Sequence, residues 1–212
     1  MGKLSPRMNS DPSPAGAALP STGPQSRPRL SGPVKVALAA AFLLLGVLVG
    51  LRSANVLIPF TIPTGSMKPA IQPGDHVISE SFSFFCRPPH RGDIVVFENE
   101  FTTMLPDHCY CCKRVAGEPG EHLRIIDGRL YINGRLTSLT NLDGPIAYRV
   151  PPAFADELKM TDVVIPPGKY FVLGDNSTNS NDSRFFGFVP ANRIVGRIDF
   201  RFWPPSRAGA VE

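Results

Sequence analysis

The longest unbroken apolar run extends from Val36 to Leu51, 16 residues without a charge, bracketed by Lys35 and Arg52. Crossing a bilayer takes about 20 mostly apolar residues, with a lower limit near 17. Lys35 and Arg52 can snorkel, and the Val56–Phe60 stretch can rest in the interface, so the run suffices. Residues 34–52 therefore predict a transmembrane signal-anchor helix, and residues 53–60 a juxtamembrane segment. A cleaved secretory signal would carry a shorter apolar region nearer the start. Here 35 residues precede the run, and the first 33 hold seven prolines and almost no large apolar side chains. Such a segment cannot bury enough surface to offset its ordering entropy, and 1–33 reads as a disordered tail.

Beyond the anchor the pattern changes to short β-branched runs separated by turn residues. Asp93–Phe97 follows Arg91-Gly92. Leu123–Ile126 and Arg129–Ile132 are joined by Asp127-Gly128, and Asn133-Gly134 follows, a strong hairpin signal with a second turn behind it. Val163–Ile165 and Tyr170–Leu173 flank a Pro-Pro-Gly turn and read as another strand pair. Only Ala153–Met160 has a helical flavour. Residues 61–205 are expected to form one all-β domain, with 206–212 a C-terminal tail.

Composition supports this division. Of 212 residues, 19 are Gly and 23 Pro, too many breakers for a helical bundle. The formal charge of +4 resides in the first 35 residues, where five basic side chains accompany one acid, Asp11. The remainder is balanced, which argues against a nucleic-acid partner. Positive charge ahead of the apolar run predicts a cytoplasmic N-terminus, with everything after Arg52 across the membrane.

Three segments carry candidate chemistry. In Ile62-Pro63-Thr64-Gly65-Ser66-Met67-Lys68-Pro69 a serine follows glycine between prolines that restrict the backbone, an arrangement that can hold its hydroxyl exposed. A plain turn is the bland reading. Lys113 enters the apolar strand Arg114-Val115-Ala116. Burial disfavours an ammonium, so a lysine there can serve as a base, unless it snorkels to the surface. Gly174 to Arg184 is crowded with Asp, Asn, Ser and Thr and predicts a self-bonded loop; it lacks the closing glutamate of an EF-hand. Serine is a weak nucleophile that needs a base beside it. None of the histidines (His76, His90, His108, His122) lies in a GxSxG-type context, and Lys68 sits in a turn where it would stay solvated, which leaves Lys113.

Taken together, IPTGSMKP, RGDIVVF, KRVAGEPGE and GDNSTNSNDSRFFGFVP, in this order over residues 58 to about 203, resemble the type I signal peptidases, membrane-bound serine peptidases with a Ser/Lys dyad. The resemblance implies a mainly β fold of two antiparallel sheets, forming a coiled, barrel-like catalytic domain that rests an apolar edge on the membrane. It implies Ser66 as nucleophile, Lys113 as general base, and an oxyanion hole from the Thr64 hydroxyl and the Ser66 backbone N–H. Ser180 falls where a hydroxyl positions the lysine, and Asp182 with Arg184 where an ion pair supports the loop. Shallow apolar pockets for small residues are implied, lined by Phe60, Ile62, Pro63, Met67 and Cys112. The implied partners are preprotein signal peptides and the lipid bilayer, with a monomeric enzyme on the outer face of a bacterial plasma membrane. No cofactor and no metal are implied.

Several residues depart from the pattern. Cys109-Tyr110-Cys111-Cys112 stands where apolar or aromatic residues are usual, and Glu118 replaces a usual leucine. In a translocated domain cysteines tend to pair, and Cys86 with one of the cluster is one candidate among three connectivities that the sequence does not separate. A soft-metal site from His108, Cys109, Cys111 and Cys112 is the alternative. The rival functional readings are a peptidase for a narrow set of exported proteins, a self-cleaving Ser/Lys regulator, and an inactive membrane-tethered binding protein.

Overall fold

The computed structural model describes residues 31–53, 56–100, 102–103, 105–149 and 160–211. The tail expected over 1–33 and the helical turn expected over 153–160 lie almost wholly outside these residues; Ser31, Gly32, Pro33 and Met160 alone are described. The first element, α1, is Gly32–Ser53. It is the one described helix long and apolar enough to cross a membrane.

The strands follow in chain order. The first six are β1 Leu57–Thr61, β2 His76–Glu80, β3 Ile94–Glu98, β4 Tyr110–Gly117, β5 His122–Ile126 and β6 Arg129–Ile132. Then come β7 Arg135–Thr137, β8 Thr140–Asn141, β9 Gly144–Pro145, β10 Asp162–Val164 and β11 Lys169–Leu173. The short helix α2, Ser183–Phe186, precedes β12 Val189–Pro190, β13 Ile194–Trp203 and β14 Gly209–Ala210. The larger sheet runs β1-β2-β13-β3-β4-β11-β12, with β14 on β13; the smaller runs β10-β5-β6-β7, and β8 pairs with β9. All pairs are antiparallel. A mainly β domain behind one N-terminal apolar helix is the architecture the sequence leads one to expect.

Local chemistry explains the hairpins. Asp127 and Gly128 have φ of 51° and 76°, and Asn133 and Gly134 of 50° and 78°. Both central residues at positive φ is what the tight two-residue turn requires, and Asp-Gly and Asn-Gly tolerate it best. Between the sheets lies a core of Ala116, Leu123, Leu130, Ile165, Phe171 and Leu173 with neighbours. Gly117 lets this core close, because a Cβ there would overlap Ile165 and approach Leu123 Cδ1 to 2.9 Å.

Three expectations are corrected. Val163–Ile165 and Tyr170–Leu173 do not pair with each other: β10 aligns Val163 with Leu123, whereas β11 aligns Val172 with Val115. The Pro166-Pro167-Gly168 turn has no N–H on either proline, and it passes the chain from one sheet to the other once Ile165 is buried. The segment 53–60 is not merely juxtamembrane. Leu57–Thr61 pairs along its whole length with β2, and its Pro59 is accommodated because β1 is an edge strand. The C-terminal tail likewise enters the sheet through Gly209 and Ala210, which pair with Arg201 and Phe200.

Candidate active site

The Ser66 turn is held from below and behind. Ile62 and Met67 are buried, and Met67 belongs with Ala70, Ile71 and Val77 to a core cluster. The backbone closes on itself through Ile62 N–H to Asp75 O at 2.9 Å, Gly74 N–H to Ile62 O at 2.8 Å and Ile71 N–H to Met67 O at 2.9 Å. Asp75, wholly buried, accepts from Gln72 N–H at 2.8 Å and pairs with Arg201 and Arg207. The consequence for Met67 is a correction: it is a core residue, not part of a binding surface, because its apolar side chain is drawn inward.

Lys113 comes from the middle of β4, facing Val95 of β3 in the register. It is 6% exposed, and its Nζ lies 2.9 Å from Ser66 Oγ and 3.1 Å from the Cys112 carbonyl oxygen. Lys68, by contrast, is exposed. Two residues 47 positions apart in the chain thus form one buried hydroxyl–amine contact.

The polar loop after β11 supplies the third side. Leu173 aligns with Arg114, so the next residue, Gly174, arrives beside Lys113. Asn176 donates its N–H to Ser66 O at 2.9 Å and its side-chain amide to Gly65 O at 3.0 Å. Ser180 packs on Gly174, where a Cβ would lie 2.6 Å from Ser180 Cβ and 2.7 Å from Ser66 O. The Ser180 hydroxyl is buried and makes no hydrogen bond, so the lysine contact implied by the resemblance is not formed in this arrangement.

Two buried ion pairs fix the loop. Arg184 bonds Asp182 at 2.8 and 2.9 Å, both side chains fully buried, and Asp182 Oδ2 accepts the Gly174 N–H at 3.0 Å. Arg114 grips Asp175 through two bonds of 2.8 and 2.7 Å. Burial pushes the Asp175 carboxyl up, and Arg114 works against that rise. Sequence reasoning named Asp182 and Arg184 but missed Arg114–Asp175, Gly174 and Asn176. An arginine directly after the lysine in an apolar strand was the available signal, since such a charge demands a buried partner.

A cavity of about 460 Å³ opens on Ser66 and Lys113, walled by Phe60, Ile62, Pro63, Thr64, Cys111 and Cys112 among others. Thr64 is exposed there. The open question of cysteine pairing also has an answer in the structure. All four are free thiols and Cys86 is exposed; the close sulfurs are Cys109 and Cys111, 3.5 Å apart. The four-residue soft-metal set does not assemble either. His108 Nδ1 faces Glu100 at 3.2 Å and Glu98 at 3.7 Å, and Glu100 is also paired with Arg193. Glu118, in place of leucine, accepts the Arg91 N–H at 2.8 Å and so braces the turn before β3.

An antiparallel β domain with a serine hydroxyl and a buried lysine amine in contact at an apolar cleft fits the serine peptidases that use lysine in place of histidine. The family model described as "Signal peptidase, peptidase S26" matches residues 35–203, and the chain belongs to that family. It is 38% identical over 151 residues to a probable signal peptidase I-2 of Synechocystis, covering 71% of this chain and 65% of that one. It is 36% identical over 177 residues to a probable thylakoidal processing peptidase 2 of Arabidopsis thaliana, covering 81% and 45%. A signal peptidase I of Leptolyngbya laminosa is 32% identical over 202 residues, 94% of each chain. The chain thus spans under two thirds of the length of the first two relatives and nearly all of the third.

Proposed function

We propose that this protein is a signal peptidase I, a serine endopeptidase that removes N-terminal signal peptides from exported preproteins after small residues. The observation that carries the reading is the 2.9 Å contact between Lys113 Nζ and Ser66 Oγ in a site from which water is largely excluded. In the neutral form the amine takes the proton from Ser66 Oγ as that oxygen attacks the scissile carbonyl. The protonated amine then delivers the proton to the leaving nitrogen, and the same lysine activates the water that releases the acyl group. The Thr64 hydroxyl and the Ser66 N–H receive the oxyanion. Ser180, whose buried hydroxyl makes no hydrogen bond at rest, is the group left to steady the amine during turnover. The apolar wall formed by Phe60, Ile62, Pro63 and Cys112 selects small residues ahead of the cut.

The helix Gly32–Ser53 anchors the chain, and the positive charges before it keep the N-terminus cytoplasmic. The catalytic domain then works as a monomer on the outer face of a bacterial plasma membrane, on chains whose apolar signals are still inserted. The test is cleavage of a preprotein by the purified full chain. Ser66→Ala and Lys113→Arg are expected to be inactive, because arginine keeps the charge and cannot be deprotonated. Cleavage retained by Lys113→Arg assigns the base elsewhere, and cleavage retained by Ser66→Ala removes the mechanism altogether.

A further inference from the structure

Cys109 and Cys111 are two residues apart, and alternation along an extended chain turns them to one side while Cys112 takes the other. Cys112 packs with the cluster of Ile62, Met67 and Val96, whereas Cys111 packs with that of Val95, Phe97 and Val115. The ladder continues past the end of β4, since Asn99 N–H donates to Cys109 O at 2.9 Å. The two sulfurs lie 3.5 Å apart, and both residues are half-buried on the wall of the cavity that also holds Ser66 and Lys113.

We propose that Cys109 and Cys111 are a redox-modified dithiol whose closure to a disulfide reshapes the substrate cleft; the functional half of this rests on the peptidase reading. A disulfide needs sulfurs about 2.05 Å apart, so the pair must close by about 1.5 Å, through rotamer changes together with a bend of the chain between the two residues. Extended residues two apart have Cα atoms about 6.4–6.8 Å apart, at the upper end of what a disulfide spans. No third ligand converges on the two sulfurs among the described residues, as His108 is turned to Glu98 and Glu100. The pair is therefore suited to thiol chemistry more than to a tetrahedral metal.

The reaction is an exchange with a low-molecular-weight disulfide. The Cys109 thiolate bonds to one sulfur of the oxidant and expels the other as a thiolate. Cys111, deprotonated, then attacks the Cys109 sulfur and expels the second. Two protein thiols lose two protons and two electrons, and the oxidant's S–S bond is reduced to two thiols. The order follows from burial, which pushes the Cys111 thiol up to about 12 and makes it the poorer first nucleophile. Between them stands exposed Tyr110, whose ring lies 5.3 Å from that of Phe60 at the cavity mouth. Closing the short ring Cys109-Tyr110-Cys111 turns this aromatic wall.

The experiment treats the full chain in detergent with glutathione disulfide, alkylates remaining thiols and digests with trypsin. The peptide 92–113 holds Cys109, Cys111 and Cys112. It is expected to lose two hydrogens and carry one alkyl group, on Cys112. The Cys111→Ser variant should stop at a glutathione adduct on Cys109. Alkylation of all three cysteines, or a bridge that includes Cys112 or Cys86, overturns the proposal. Oxidation is expected to slow preprotein cleavage several-fold, with recovery in dithiothreitol; a mapped Cys109–Cys111 bridge with unchanged cleavage overturns the effect on the cleft. If the reduced protein cleaves no preprotein, the peptidase reading fails while the peptide map still decides the chemistry.

Discussion

Asn176 donates its backbone N–H to the carbonyl of Ser66 at 2.9 Å, across 110 positions of chain. With the Asn176 amide on Gly65 O, this makes the loop after β11 the clamp that holds Ser66 against Lys113. The clamp depends on close approach of backbones, and that sets the first prediction.

Gly174→Ala places a methyl 2.7 Å from the Ser66 carbonyl oxygen and into the Ser180 side chain. The carbonyl belongs to the backbone and cannot swing aside, so the loop must lift from the serine. Misplacement of about 1 Å costs on the order of 100-fold in rate. The kcat for preprotein cleavage should fall at least that far, while circular dichroism reports a retained β fold. A variant with near-normal kcat would show that the clamp does not position Ser66.

Arg114→Met removes the partner of a carboxylate whose side chain is fully buried. An uncompensated buried charge costs about 3–5 kcal/mol. The urea midpoint should drop accordingly, and the double variant Arg114→Met, Asp175→Leu should recover much of the loss. Equal destabilisation of the single and double variants would locate the effect in packing instead of charge.

Thr64→Val keeps the shape of an exposed side chain and deletes its hydroxyl. Loss of one oxyanion donor is worth about 3–4 kcal/mol of activation free energy, or about two to three orders of magnitude in kcat. Thr64→Ser should retain activity, and the thermal midpoint should stay within about a degree because the position is exposed. A Val variant at normal rate would assign the oxyanion contact to other groups.

Thiol labelling should follow burial and pH. Exposed Cys86 is expected to react first with a neutral alkylating agent. Cys111, raised to about 12, holds about one part in ten thousand as thiolate at pH 8, and its rate should rise about tenfold per pH unit toward that value. Burial also raises the Cys112 thiol, so it too should lag. Time-resolved mass spectrometry of labelled peptides measures all three, and rapid labelling of Cys111 at pH 7 would contradict its burial.

Much of the molecule was legible from local pattern. The apolar run before Arg52 specifies a helix because a membrane-length segment without polar side chains must satisfy its backbone hydrogen bonds within itself, and Asp127-Gly128 and Asn133-Gly134 specify hairpins because few other dipeptides accept positive φ at both positions. The meeting of Ser66 with Lys113 was reachable by elimination and by motif order. Met67 was misjudged because a motif shows which residues are adjacent in sequence, not which way each side chain turns.

What the residue order determined alone is a membrane-length helix followed by a chain of short strands, together with the chemical types available for catalysis. Those are properties of segments a few residues long, governed by backbone sterics and side-chain hydrophobicity. The pairing of β10 with β5 and of β11 with β4, the Arg114–Asp175 grip, and the approach of Cys109 to Cys111 were decided by tertiary structure. In each case the partners meet only in the assembled core, where apolar strands gain by leaving water and a buried charge must find its counter-charge.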